Sequence, residues 1–180
     1  MSVEFLDDRE KKVLELEARK RLYQIVRDFA GCHFREIERI SALPTGTVKY
    51  HLDYLSKFGL IKPVKKDNAL RYFPRGLASE HKRLLSLLRQ KSVRDILLFI
   101  LAHPGCHHGQ LVAFTRLSPS TVSWHLKKLE EGRVVGSAKT GRKSSLNLLI
   151  DKDEVIKLLI TYKESFLDSL VDRVLEMWEP

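Results

Sequence analysis

Two short stretches of this chain carry small hydroxyl residues, an aromatic ring and a lysine. They are Thr45, Gly46, Thr47, Lys49 and Tyr50 in one, and Ser120, Thr121, Ser123, Trp124 and Lys127 in the other. Hydroxyl and ammonium groups at the start of a helix suit a polyanion. The free backbone N–H groups and positive dipole end there attract phosphate, and side chains of the first turns reach base edges in a major groove. Small residues let the backbone come close. Tyr50 and Trp124 are expected on thymine methyls or sugars, and Thr47 and Thr121 on bases or phosphates. Asp53 stands where the second stretch has Lys127, which favours the second stretch as the stronger binder.

Other reactive residue types carry less. Cys32-His33 and Cys106-His107-His108, with His81 and His103 nearby in sequence, are zinc-ligand types. Their spacing has no CxxC pair, and each Cys-His falls at the same turn of a duplicated unit, so they read as turn packing and no metal is expected. Thiol or metal sensing through Cys32 and Cys106 is a weaker idea. His51 and His125 each follow the aromatic of a reading stretch, as edge-of-core residues or phosphate contacts. No glycine-rich phosphate loop, paired-carboxylate pocket or nucleophile motif appears, so neither enzyme activity nor a cofactor is expected.

The elements that must hold these residues come in two copies. Residues 31–65 align without gaps on 105–139 at an offset of 74, with ten identities, among them Gly31/Gly105, Cys32/Cys106, His33/His107, Thr47/Thr121, Val48/Val122, His51/His125 and Leu52/Leu126. A repeat of this length marks duplicated structural units. Each copy predicts a helix, a short second helix (34–41 and 110–115), a turn and a third helix (45–57, and one opened by Ser118-Pro119), then a β-hairpin. In the third helices Val48, Leu52 and Leu55, or Val122, Leu126 and Leu129, recur at i, i+4 and i+7 and face the core. That turns the polar reading residues outward. The hairpins are expected at 60–64 with 70–73 and at 134–139 with 145–150. Residues 7–29 read as one helix or two, 79–91 as a connecting helix, and 93–102 as a helix capped by Ser92. Gly132 aligns with Phe58 rather than Gly59, so the second reading helix is expected to end one residue early. Residues 151–178 read as one long amphipathic helix of about 40 Å.

The domains expected are therefore 1–76, 77–150 with the connecting helix, and the tail 151–180. Of the chain's net charge of +9, residues 1–76 hold 16 Lys/Arg against 11 Asp/Glu, residues 77–150 hold 12 against 4, and residues 151–180 hold 4 against 8. Basic bodies suit nucleic acid, and the acidic, apolar-striped tail suits a homodimer contact. Arg35 and Arg39 on the second helix, and Lys65, Lys66, Arg71, Lys139, Arg142 and Lys143 around the hairpin turns, are the expected phosphate or minor-groove contacts. No apolar run approaches a membrane span, and the first residues lack an apolar signal core. A cytoplasmic protein is expected.

The third-helix sequences Leu43-Pro44-Thr45-Gly46-Thr47-Val48-Lys49-Tyr50-His51-Leu52 and Leu117-Ser118-Pro119-Ser120-Thr121-Val122-Ser123-Trp124-His125-Leu126 resemble those of ArsR/MarR-like transcriptional regulators. In particular, the chain resembles archaeal regulators with tandem winged domains. The resemblance covers about residues 20–75 and 92–150. It implies a mainly α fold with small β-hairpin wings, two tandem winged helix-turn-helix domains and a long C-terminal helix. It also implies a sequence-specific regulator that binds double-stranded DNA. The alternative is a winged-helix adaptor that joins proteins within a larger complex, transcription machinery included. Basic residues at both wing tips argue for DNA, since an adaptor has little need of them.

Overall fold

The computed structural model describes residues 7–66, 69–140, 143–162 and 166; of Lys66, Ala69, Lys139, Thr140 and Lys143 it describes the backbone alone. The chain divides into two compact units, Met1–Lys82 and Arg83–Pro180.

In the first unit, α1 (Asp8–Val13) is followed by α2 (Glu17–Asp28), β1 (Cys32–His33), α3 (Phe34–Ser41), α4 (Thr45–Lys57), β2 (Ile61–Lys66) and β3 (Ala69–Pro74). Residues 7–29 thus form two helices. Val13 and Leu22 are both buried, yet nine residues at 100° each put them on opposite sides of one straight rod. A break at Leu14–Leu16 lets both face inward. Asp7 caps α1 in a reciprocal box with Glu10, and the Glu10 carboxylate accepts from the Arg75 guanidinium just past β3. The core gathers Leu22, Ile25 and Val26 of α2, Ile37 of α3, and Val48, Leu52 and Leu55 of α4. The sheet order is β1-β3-β2, antiparallel throughout, with Cys32 opposite Tyr72 and Lys66 opposite Ala69. The two-residue β1 was not expected. It is too short to show alternation.

In the second unit, α5 (Ser79–Leu88, which begins before the division), α6 (Lys91–Ala102), α7 (His108–Thr115), α8 (Pro119–Glu131), β4 (Val135–Thr140) and β5 (Lys143–Leu148) repeat the order, and α9 (Lys152–Thr161) follows. Ile96 and Ile100 of α6 take the places of Leu22 and Val26 and are likewise fully buried. Ser92 is not the cap of α6. The helix starts at Lys91 behind Gln90, and Lys91 reaches Asp95 one turn on at 3.1 Å. In place of β1 there is a single bridge, Cys106 to Leu146.

The backbone repeats more closely than the side chains do. Positive φ angles occur at Gly31 and Gly105 (82° and 80°), at Ala42 and Arg116 (52° and 56°), and at Gly59 and Arg133 (72° and 53°), each pair separated by 74 positions. The expectation from Gly132 is therefore corrected. α4 and α8 end at equivalent residues, Lys57 and Glu131. Gly132 keeps a helical φ of −71° as the C-cap, and Arg133 makes the left-handed turn that Gly59 makes in the first copy. A Cβ at Gly132 would stand 3.2 Å from the Lys128 carbonyl oxygen and 3.4 Å from Leu87 of α5.

The expected single helix over 151–178 is also corrected. α9 has ten residues, is capped by Asp151, and ends at the C-cap Tyr162. Val155, Leu158, Leu159, Tyr162 and Phe166 are buried, and the Arg94 guanidinium lies 5.4 Å from the Phe166 ring centre. The described part of the apolar stripe is thus covered by the chain itself, while Ile160 is exposed. The rest of the stripe lies outside the described residues. Among the described residues no helix is long and apolar enough to cross a membrane.

Candidate nucleic-acid interface

Each reading helix shows one apolar and one polar face. Val48, Leu52 and Leu55, like Val122, Leu126 and Leu129, point into their cores. Opposite them Thr45, Gly46, Lys49, Tyr50 and Asp53 are exposed, as are Ser120, Ser123, Trp124 and Lys127. Thr47 and Thr121 are half-buried at the rim of this face. Tyr50 at 60 % and Trp124 at 54 % exposure are the largest apolar groups on it.

The two faces differ in detail. α8 begins in a hydroxyl cluster. Ser118 Oγ lies 3.0 Å from Ser120 Oγ and 2.7 Å from Thr121 Oγ1, and accepts from the Thr121 N–H at 3.2 Å. Ser123 Oγ lies 2.9 Å from Nε2 of His108 on α7. The Lys128 ammonium sits 3.7 Å from the centre of the Trp124 ring, a cation–π contact that holds the indole. α4 has no side-chain cap. Its Thr45 hydroxyl donates to the Glu38 carboxylate of α3. Its aromatic ladder runs from Tyr50 through Tyr54 to Phe58, with ring centres 6.4 and 4.6 Å apart, and the Arg19 guanidinium covers Tyr54 at 4.1 Å.

His51 and His125 lie beneath the exposed aromatics, edge-on at 5.0 and 4.9 Å, and are only 6 % and 8 % exposed. Neither Nδ1 has a hydrogen-bond partner. Burial holds both imidazoles below their ordinary pKa. The Arg19 cation adds to this at His51, and Lys128 at His125. They are wedges of the core, not contacts to phosphate.

His33 and His107 have a role that spacing did not reveal. Each Nδ1 accepts the backbone N–H three residues on, from Glu36 at 3.2 Å and from Gln110 at 3.3 Å. They cap α3 and α7, and at α7 Gln110 returns the bond to the His107 N–H at 3.0 Å. The neighbouring Cys32 and Cys106 are buried and not disulfide-bonded. Burial pushes the Cys106 thiol up in pKa, away from the reactive thiolate. Among the described residues no three of His, Cys, Asp and Glu come together as metal ligands.

Of the cations expected on DNA, Arg35, Arg39 and Lys65 are exposed. The side chains of Lys66, Lys139 and Lys143, and all of Arg142, lie outside the described residues. Arg71 is placed differently from the expectation. It sits mid-strand opposite Val64, and its Nη1 donates to the Gly31 carbonyl at 2.8 Å. Burial lowers its pKa, and it ties β3 to the turn before β1. The second copy has no counterpart of Arg35 or Arg39, since Gly109 and Ala113 stand there.

Residues 16–85 match a family described as an N-terminal HTH domain. Residues 89–135 match the winged helix-turn-helix DNA-binding family. An uncharacterized HTH-type transcriptional regulator of Methanocaldococcus jannaschii is 33% identical over 134 residues, which cover 74% of this chain and 34% of that protein. The chain thus spans about a third of the length of this relative.

Proposed function

The chain is a tandem winged helix-turn-helix protein, and on that premise we propose that it is a transcription regulator that binds double-stranded DNA in a sequence-specific way. One observation carries the reading: at equivalent places in both copies a buried apolar face leaves a threonine at the rim and turns an aromatic ring outward in the first turns of a helix. These are Thr47 with Tyr50 and Thr121 with Trp124, with Lys49 beside them in one copy and Lys127 a turn further on in the other. In this reading α4 and α8 enter major grooves. Thr45, Gly46, Thr47, Lys49 and Tyr50, and Ser120, Thr121, Ser123, Trp124 and Lys127, meet bases and the adjacent backbone. Arg35, Arg39, Lys65, Lys66, Lys139, Arg142 and Lys143 meet phosphates. The protein works by binding, in the cytoplasm, as a homodimer joined through residues 151–180.

A mobility-shift titration with random and selected duplexes across a salt series tests this. Affinity is expected to fall steeply and log-linearly with salt as phosphate contacts release counterions, with selected duplexes bound at least about a thousandfold more tightly than random ones. Absent or salt-insensitive binding would sink the proposal.

A further inference from the structure

The first turn of α4 is built unlike that of α8. Ser118 caps α8 with its hydroxyl, whereas Pro44 at the same place before α4 offers no side-chain bond. In the first domain the preceding helix intervenes: the Thr45 hydroxyl donates to the Glu38 carboxylate. The residues 74 positions on are Val112 and Pro119, which cannot form such a link.

An ionised carboxylate accepts hydrogen bonds and donates none, and a threonine hydroxyl has one proton. With that proton committed to Glu38, the two side chains present only lone pairs, on the Thr45 oxygen and on the carboxylate, beside the backbone N–H groups of the first turn. Thr45 is exposed and Glu38 partly so. A Cβ added at neighbouring Gly46 would meet nothing within 4 Å, so the approach is open. Where these side chains meet a base edge, paired acceptors repel the O6 and N7 acceptors of guanine. They fit a groove edge that donates, the N4 amino group of cytosine or the N6 amino group of adenine. Arg35 and Arg39 flank Glu38 on α3, both exposed. They supply the positive charge that keeps the DNA backbone close despite the carboxylate.

We propose that Glu38, acting with Thr45, is a specificity-determining residue that makes the first domain select a base with an exocyclic amino group in the major groove. The second domain does not share this preference. The proposal rests on the DNA-reading role given above.

Selection from a randomised duplex pool, with the full chain and with Glu38→Gln and Glu38→Val, tests it, followed by affinities for single-base variants of the enriched site. The unaltered chain is expected to favour C or A over G or T on one strand at one position, by about tenfold. In Glu38→Val that preference falls to near parity while other positions keep theirs. Glu38→Gln, which brings two donors with its carbonyl, shifts the preference toward G. An unchanged preference in Glu38→Val would overturn the proposal and leave the regulator reading standing. So would a loss of affinity spread evenly over all sequences, the mark of a purely structural role. Should Glu38→Val fail to fold, Glu38→Gln decides alone, and unchanged discrimination in it refutes the proposal. If the unaltered chain enriches no sequence, the regulator reading itself fails, and the role of Glu38 with it.

Discussion

Arg133 carries a backbone burden that its counterpart Gly59 does not, because an L side chain at a φ of 53° crowds the following carbonyl. Arg133→Gly is expected to stabilise the second domain by about 1 kcal/mol in chemical denaturation. A lower midpoint would mean that the guanidinium makes a contact worth more than the strain. His51 and His125 give a pH dependence whose sign follows from their burial. Above the ordinary imidazole pKa of 6.5 the rings are neutral, folded or unfolded, and no penalty arises. Below it the unfolded chain takes up protons that the folded rings resist, so stability declines until the folded rings are charged too. Denaturation midpoints should therefore fall between about pH 7 and pH 5, and replacing both histidines by Phe should flatten that fall. An equally steep decline in the double variant would assign it to other groups. At this scale the sequence was legible wherever a residue acts through its helix face: Val48, Leu52, Tyr50 and Trp124 point as their spacing requires. It was not legible where a residue acts through the backbone. Gly132 read as the turn because glycine is the usual occupant of a left-handed site, but here that site falls on Arg133.

Capping and charge belong to the scale of the element. α4 and α8 lie within a residue of their expected bounds because Ser118-Pro119 and the apolar i, i+4, i+7 rows mark them. β1 depends on a contact distant in sequence, Cys32 with Tyr72, which local periodicity does not encode. The histidine caps were hidden for a different reason: His is not among the usual N-cap residues. His107→Ala is expected to cost about 1 kcal/mol of stability, with His107→Asn recovering most of it. Equal losses in the two variants would argue that the ring packs rather than caps. The wings make a separate prediction. Changing Lys139, Arg142 and Lys143 together to Ala should weaken binding on all duplexes alike and reduce the salt slope by roughly two to three. A change confined to selected sequences would mean that the wing reads bases.

For the whole molecule, the proposed homodimer is the part of the reading that a truncation tests. Cutting the chain after Tyr162 is expected to turn a dimer into a monomer in light scattering and to cost roughly a hundredfold in affinity for a selected duplex, through lost avidity. An unchanged mass would move the dimer contact elsewhere. The two-copy organisation was legible as a whole because a fixed offset of 74 residues needs no knowledge of contacts. The end of α9 at its C-cap Tyr162 was not legible because an apolar stripe is equally compatible with one rod or with a rod that stops there. The bond between Glu10 and Arg75 fastens the start of the first domain to its end, across 65 positions of sequence. That domain is consequently closed from Glu10 to Arg75, with its first described helix beside the residue that follows its last strand. Its connectivity can be rewired: a permuted chain opened between residues 67 and 68, with the old ends bridged by a short glycine-serine link, should fold to the same surface.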